Sequence, residues 1–292
     1  MSDIDFTALR ATRATQPEAI AQALASRTRR AIDGGDSRLM IIAADHPGRA
    51  AMGVGSEAMA MANREVLLER LAGALENPGV DGVLATPDII DDLALLGALE
   101  NKIVVGSLNR GGLRGSSFEM DDRFGAYSID SLARAGLDFA KTLTRINLQD
   151  VGTANTLIAT AEAVNDAVAA QIPIMIEPFM SEWVDGKVTN VLTAEAVIHS
   201  IAISAALGGS SAYTWLKIPF VPDMARVMES TTLPTLILGG DNQSDPEALY
   251  SDWAHALTLP GVRGLVVGRS LLYPASGTAA DAISRAVDIV HG

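Results

Sequence analysis

Lys217 is the residue of this sequence best placed to do chemistry, because it lies inside an apolar, aromatic-rich run. The run covers residues 211–222, and Pro219 and Pro222 close it. A run of this length and composition predicts a buried strand, which proline cannot continue. Burial disfavours the ammonium form of lysine and favours a neutral amine, which can attack a carbonyl and form a Schiff base. The alternative is a lysine that reaches the end of the strand and is solvated there.

A second lysine and two acids interrupt or end other apolar runs: Asp45, Lys141 and Glu177. A neighbouring ammonium lowers the pKa of a lysine, so Lys141 would help to make Lys217 a nucleophile near neutral pH. Glu177 would transfer protons, and Asp45 would bind a substrate hydroxyl or orient a lysine. Taken singly, each acid is explained equally well as a helix cap or as an ion-pair partner.

Several residues that follow predicted strands are candidates for substrate or phosphate binding: His46, Asn109, Arg110, Gly239, Gly240, Gly268 and Arg269. The glycines follow the last two predicted strands, where α/β barrels commonly bind phosphate through backbone N–H groups. Arg269 would add a charge-assisted hydrogen bond to the phosphate. The alternative is a pair of ordinary strand-to-helix turns.

The elements that position these residues alternate regularly along the chain. The predicted strands are residues 39–45, 80–85, 103–107, 136–145, 172–177, 211–222, 234–240 and 262–268, and the predicted helices after them are residues 64–77, 88–100, 130–135, 153–170, 193–207, 223–231, 246–256 and 279–290. Strands that are apolar on both faces are typical of parallel sheets covered by helices.

Eight such units with short linkers predict an α/β protein with a (β/α)8 TIM barrel. We expect one domain over residues 1–292, with residues 1–37 as an N-terminal helical cap. The candidate residues would then meet at the C-terminal ends of the barrel strands. An open, doubly wound sheet is the alternative, although no Gly-x-Gly-x-x-Gly motif follows the first strand.

The amino-acid composition limits the kinds of molecule that this protein is expected to bind. The chain has 292 residues, 48% of them hydrophobic, a formal net charge of −13 and no cysteine. The acidic balance disfavours nucleic acids and anionic membranes, and the lack of cysteine excludes disulfides and thiolate chemistry. The N-terminus does not resemble a signal peptide, and no apolar stretch has the length of a membrane span. We therefore expect a cytoplasmic protein.

Metal binding is not expected either. The four histidines lack the spacings that are typical of zinc sites: His46, His199, His255 and His291. Two acidic pairs, Asp91–Asp92 and Asp121–Asp122, are expected to be solvated. We expect neither a metal nor another cofactor.

Five short motifs resemble those of the class I Schiff-base aldolases: Asp45-His46, Asp138-Phe-Ala-Lys141, Met175-Ile-Glu-Pro178, Leu216-Lys-Ile-Pro219 and Val266-Val-Gly-Arg269. The resemblance covers about residues 38–275. It is greatest to tagatose-1,6-bisphosphate and sulfofructose-phosphate aldolases, and the chain is also similar to aldolase-like proteins of bacterial inositol breakdown. The pattern departs from the tagatose group in the loop of residues 109–122, which would contact the far end of the substrate.

The resemblance implies a lyase in which Lys217 forms the Schiff base, Lys141 is its electrostatic neighbour and Glu177 is the acid and base. It also implies a small phosphorylated sugar or sugar acid as substrate, with the inositol-related group suggesting 2-deoxy-5-keto-gluconate 6-phosphate. Barrels of this kind often associate, so we expect a homo-oligomer. Two alternatives are a Schiff-base transferase or thiolase on the same barrel and a phosphosugar-binding barrel without chemistry.

Overall fold

The computed structural model describes residues 4–32, 38–109, 111–240 and 245–292. The strands in these ranges are β1 (Leu39–Ala43), β2 (Gly82–Ala85), β3 (Ile103–Ser107), β4 (Phe139–Ile146), β5 (Ile174–Val184), β6 (Lys187–Asn190), β7 (Thr214–Pro219), β8 (Thr235–Leu238) and β9 (Val262–Val267). The helices are α1 (Phe6–Thr15), α2 (Glu18–Ser26), α3 (Arg64–Glu76), α4 (Pro87–Leu95), α5 (Ile129–Arg134), α6 (Gly152–Ala170), α7 (Ala194–Ala205), α8 (Met224–Glu229), α9 (Pro246–Leu257), α10 (Arg269–Leu272) and α11 (Ala279–His291). None of these helices combines the length and the apolar character that crossing a membrane requires.

All strands except β6 form one closed parallel barrel. Their order around it is β4-β3-β2-β1-β9-β8-β7-β5, and pairing of β4 with β5 completes the circle. Eight parallel strands with helices between them are a TIM barrel. The predicted α/β fold class is therefore confirmed, and the open-sheet alternative is wrong because the barrel has no free edge.

The lower interior of the barrel is filled by an apolar floor: Leu39, Ile41, Ala43, Leu84, Ile103, Val105, Phe139, Met175, Leu236 and Val266. Trp215 packs edge-on against Phe139, with ring centroids 5.4 Å apart. Because side chains alternate along a strand, residues two positions beyond this layer also point inward. Those residues include Ser107, Lys141, Glu177 and Lys217. The two-residue alternation of side chains along each strand thus places polar side chains directly above the apolar floor.

The predicted N-terminal helical extension is present as α1 and α2. After α2, the guanidinium of Arg27 donates to Asp138 Oδ2 at 2.6 Å and to the carbonyls of Lys102 and Gly136 at 2.9 and 2.7 Å. Asp138 also accepts from the backbone N–H of Val104 at 2.9 Å. These contacts hold the extension against the N-terminal ends of β3 and β4. That residues 1–292 form a single domain stays a prediction.

The sequence predicted that the fifth barrel strand ends at residue 177, directly before Pro178, and this end is wrong. β5 continues to Val184 and pairs with β6 as an antiparallel hairpin. The pairing of β7 with β5 stops at Ile176, so beyond that residue one edge of β5 has no barrel partner, and proline is tolerated there. The sixth barrel strand is shorter than predicted, because it covers Thr214–Pro219 rather than residues 211–222.

The expectation of solvated acidic pairs is wrong for one member of each pair. Asp92 is buried and lies 2.5 Å from Arg13 Nε. Asp122 is fully buried and contacts Arg145. In both cases a guanidinium forms an ion pair with the carboxylate and replaces the water that burial removes, because a buried charge is stable only when it is paired.

Replacement of Arg27 by Met is expected to destabilise the protein by about 3 kcal/mol, because it leaves the buried carboxylate of Asp138 short of a partner. Chemical denaturation of the purified variant measures this loss. The control is Arg134→Met, which breaks an exposed ion pair with Asp130 and should cost less than about 0.5 kcal/mol. Equal effects of the two substitutions would contradict the assignment of Arg27 as a buried anchor.

Candidate active site

Glu177 joins two buried lysines at the top of the barrel. Its Oε1 accepts from Lys217 Nζ at 2.5 Å, and its Oε2 lies 2.5 Å from Lys141 Nζ. All three side chains are buried. They stand on β4, β5 and β7, which are neighbours in the barrel although far apart in the chain.

Asp45 completes this group from the end of β1. Its Oδ2 accepts hydrogen bonds from Lys141 Nζ and from Ser107 Oγ, both at 3.1 Å. The structure thus brings together the four residues that the sequence singled out for chemistry. Ser107 was not among them, although it is the only residue of β3 with a polar side chain, and that was a usable signal.

The lysines differ in the number of acids that they contact. Burial lowers the pKa of Lys217, and Lys141 lowers it further, while Glu177 opposes both effects only in part. Burial also acts to lower the pKa of Lys141, but Asp45 and Glu177 outweigh it, so that pKa is raised. Lys217 is therefore the lysine that more readily becomes a neutral amine.

The pKa of Glu177 is held down as well. Burial alone would raise it, but the neighbouring charges of Lys141 and Lys217 lower it to about 2. Glu177 is therefore a carboxylate at neutral pH.

His46 lies beside Asp45 on a short 3-10 turn, His46–Arg49. Its Nδ1 is 4.0 Å from Asp45 Oδ1, and only 16% of its side chain is exposed. Burial and then the charge of Arg269 lower its pKa to about 3. At neutral pH the imidazole is therefore uncharged.

Asn109 binds backbone. Its Nδ2 donates to the carbonyls of Asp122 and Leu143 at 2.5 and 2.9 Å, and its Oδ1 accepts from the N–H of Leu143. It therefore attaches the loop after β3 to β4, and direct binding of a substrate by this residue stays a prediction. Arg110 lies outside the described residues.

A buried arginine holds the same loop in place. Arg145 Nε and Nη2 donate to the two carboxylate oxygens of Asp122 at 2.9 and 2.6 Å, and its Nη1 donates to Glu119 Oε1 at 3.1 Å. Nη2 also reaches the carbonyl of Gly112 at 3.2 Å. The sequence reasoning missed this network, although an arginine near the end of a predicted buried strand was a usable signal.

The glycines after β8 and β9 have close neighbours or unusual backbone. Gly240 has φ +64°, a conformation that favours glycine. A Cβ on Gly268 would lie 2.3 Å from the carbonyl oxygen of Ala43, so no larger residue fits there. Residues 241–244, which follow Gly240, lie outside the described part of the chain.

Two residues near these glycines provide polar groups. Arg269 Nη1 donates to the carbonyl of Gly53 at 3.3 Å. Ser270 is buried, and its Oγ has no hydrogen-bond partner among the described residues. A Cβ on Gly239 would lie 3.0 Å from that oxygen, so the hydroxyl faces the loop after β8. Ser270 was not singled out from the sequence.

Arg49 is a cation at the mouth of the barrel that sequence reasoning also missed. It is half-buried, and its carbonyl accepts from the N–H of Arg114 at 2.9 Å. Its guanidinium interacts electrostatically with Lys141 and Asp122. Within the described ranges no acid forms an ion pair with it.

Among the described residues, no group of three or more His, Cys, Asp or Glu side chains is arranged to hold a metal ion. The side chains above the apolar floor instead combine an amine of lowered pKa, a carboxylate in direct contact with it and a second, charged lysine. This combination is suited to carbonyl chemistry through a Schiff base.

Comparison with known proteins identifies one relative of high sequence identity and several structures of low sequence identity. The Cgl0159-like family model matches residues 37–287. The crystal structure of Cgl0159 from Corynebacterium glutamicum is 61% identical, covers 98% of this chain and 96% of that chain, and superposes with a TM-score of 0.96. A comparison with curated proteins gave no match.

More distant similarity is to class I fructose-bisphosphate aldolases. An archaeal fructose-1,6-bisphosphate aldolase, with its catalytic Lys covalently bound to the carbinolamine intermediate, is 19% identical, with a TM-score of 0.62 over 94% of this chain and 100% of that chain. Fructose-bisphosphate aldolase from Slackia heliotrinireducens is 11% identical, with a TM-score of 0.62 over 100% of this chain and 93% of that chain. At these identities the likeness shows a shared fold, and a specific resemblance to tagatose or sulfofructose aldolases stays a prediction.

Replacement of Lys141 by Met is expected to raise the pKa of Lys217. The substitution removes a neighbouring ammonium, and Lys217 then becomes the only lysine in contact with the Glu177 carboxylate. The rate of reductive methylation of Lys217 by formaldehyde, followed by peptide mass mapping as a function of pH, reports the neutral amine. Its inflection should move to higher pH in the variant. Lys187→Met, which removes an exposed lysine of β6, is the matched control; an inflection that stays in place in Lys141→Met would refute the coupling.

Proposed function

This chain belongs to the Cgl0159-like family, and we propose that it is a class I aldolase. It would cleave or form a carbon–carbon bond of a phosphorylated, ketose-type sugar through a Schiff base on Lys217. The observation that carries the proposal is the buried contact of Lys217 Nζ with Glu177, whose second oxygen is occupied by Lys141. This arrangement lowers the pKa of one lysine and provides a carboxylate beside it.

The reaction starts at the amine. Lys217 Nζ attacks the ketose carbonyl, and Glu177, in direct contact, accepts the proton that the amine loses. Glu177 then donates this proton to the carbinolamine hydroxyl, which leaves as water and gives an iminium. The iminium withdraws the electrons of the adjacent carbon–carbon bond while Glu177, again a carboxylate, accepts the proton of the hydroxyl on the departing carbon, so that an aldehyde leaves and an enamine stays on Lys217. Protonation of the enamine and hydrolysis of the resulting iminium by water then release the ketone and restore Lys217. No metal or other cofactor takes part in this scheme.

The substrate phosphate would bind above β8 and β9. Backbone N–H groups near Gly239, Gly240 and Gly268 can approach an anion closely because no Cβ intervenes. Arg269 adds a positive charge, and the buried hydroxyl of Ser270 adds a donor that has no partner among the residues described by the structure. Held there, the phosphate would fix the position of the carbonyl relative to Lys217.

The finer proposal is cleavage of 2-deoxy-5-keto-gluconate 6-phosphate to dihydroxyacetone phosphate and malonate semialdehyde. It is supported by the resemblance of the motifs to aldolase-like proteins of inositol breakdown. It is also supported by Arg49, a cation close to Lys141 that forms no ion pair with the described acids and would suit the carboxylate of a sugar acid. His46 and the loop that begins at Asn109 would contact the same substrate.

Incubation with dihydroxyacetone phosphate and sodium borohydride is expected to attach one reduced triose phosphate to Lys217, detected by intact mass and peptide mapping. Lys217→Met should lose both the adduct and turnover, whereas the control Lys187→Met should keep them. An adduct on a different lysine, or turnover by Lys217→Met, would refute the assignment. Tight triose phosphate binding without an adduct would favour a phosphosugar-binding barrel, and a product that depends on an added acceptor would favour a transferase.

Ser270→Ala is expected to act in opposite directions on stability and on substrate binding. Removal of a buried hydroxyl without a partner should raise the free energy of unfolding by about 1 kcal/mol. Loss of a phosphate donor should raise KM roughly fivefold with little change in kcat, in line with about 1 kcal/mol per hydrogen bond. Denaturation and steady-state kinetics test both, with exposed Ser276→Ala as control; an unchanged KM would remove Ser270 from the phosphate site.

A further inference from the structure

Glu177 alone cannot carry out all of the proton transfers that the proposed reaction needs. One of its oxygens is bound to Lys217 and the other to Lys141, and these two contacts hold its pKa at about 2. It can exchange a proton with the lysine amine that it touches. A second group is needed at the substrate carbon next to the iminium, where a proton must be removed and returned.

His46 has the geometry for that second transfer. Its Nδ1 is buried toward Asp45, 4.0 Å from Oδ1, without a hydrogen-bond partner among the described residues. With Nδ1 on the Asp45 side of the ring, the other ring nitrogen, Nε2, is the one available to a substrate. On its other side the ring packs against Gly268, where a Cβ would lie 3.0 Å from His46 Cε1. The imidazole is thus held between the carboxylate of Asp45 and the proposed phosphate loop.

The two groups that would hold the ends of a small phosphorylated ketone both act on the ring. Lys217, which would hold the carbonyl carbon, and Arg269, which would hold the phosphate, are both close enough to His46 to interact with it electrostatically. A triose phosphate bound between those two residues would have its reacting carbon beside the ring. No other imidazole serves this site, since His199 and His255 lie on the outer helices α7 and α9 and His291 ends α11.

We propose that His46 is a second catalytic residue, whose Nε2 removes and returns the proton on the carbon adjacent to the Lys217 iminium. The inference rests on the proposed aldolase function. The electrons of the broken C–H bond form the carbon–carbon double bond of the enamine, and the iminium π electrons move to nitrogen. The proton goes to Nε2 as imidazolium, where Asp45 stabilises the charge, and the reverse step returns it to carbon.

The protonation state of His46 fits this role. Burial and the charges of Arg269, Lys217 and Arg49 keep the imidazole neutral, and Asp45 acts in the opposite direction. The Nε2 lone pair is therefore available at neutral pH. A phosphate dianion bound to Arg269 would offset the largest of those charges and raise the pKa of His46. The ring would become a stronger base once substrate is in place.

Exchange of hydrogen for deuterium at the hydroxymethyl carbon of dihydroxyacetone phosphate, which is the reacting carbon, isolates this step. It is followed by proton NMR in D2O and needs no aldehyde partner. His46→Gln keeps a neutral hydrogen-bonding side chain that cannot take up a proton. It is expected to slow exchange by about 100-fold or more, the usual contribution of a general base. The borohydride adduct on Lys217 should persist in this variant. His199→Gln, on an exposed face of α7, is the matched control and should exchange at the wild-type rate.

The outcomes separate this inference from the proposed function. A normal adduct with exchange by His46→Gln within threefold of wild type would overturn the role of His46 and leave the Schiff base intact. Absence of an adduct in the wild-type protein would overturn the aldolase proposal and the role of His46 with it. His46→Asn, measured in the same way, replaces the glutamine variant if that variant fails to fold.

Discussion

A single carboxylate shared between two buried lysines is the interaction on which the site depends. Burial of any one of these three charges alone would be costly, and together they compensate one another. The arrangement is asymmetric, because Lys141 contacts both Asp45 and Glu177 whereas Lys217 contacts Glu177 only. This difference in the number of acids shifts the pKa values of the two lysines in opposite directions, so that Lys217 is the one that more readily becomes a neutral amine.

The barrel supports this cluster from below and from the side. The apolar floor, with Phe139 and Trp215 packed edge-to-face, keeps water from the base of the site, and low local polarity strengthens the charge interactions above it. On one side, Arg145 fixes the loop after β3 through Asp122 and Glu119. The candidate catalytic groups stand on or directly after barrel strands, and the loop after β3 is attached to β4 by buried hydrogen bonds.

Sequence patterns failed where a contact is made between distant parts of the chain. Asp122 looked like a solvated loop acid, and only the proximity of Arg145 explains its burial. Pro178 looked like the end of a strand, but it lies on a part of β5 that has no barrel neighbour on one edge. The contacts of the Asn109 amide with the backbone of β4 were not foreseen, and direct binding of substrate by this residue stays a prediction. In each case the deciding partner lies too far along the chain for local composition or periodicity to reveal it.

The sequence by itself determined the strand–helix alternation, the barrel, and the positions of Asp45, Lys141, Glu177 and Lys217 on, or directly after, its strands. It could do so because apolar periodicity and polar interruptions within strands are local properties of the chain. Only the tertiary structure decided that Glu177 bridges both lysines, that Ser107 supports Asp45, and that His46 lies between Asp45 and Gly268. These relations depend on barrel closure, which brings strands from distant parts of the chain to within hydrogen-bond distance and removes their side chains from water.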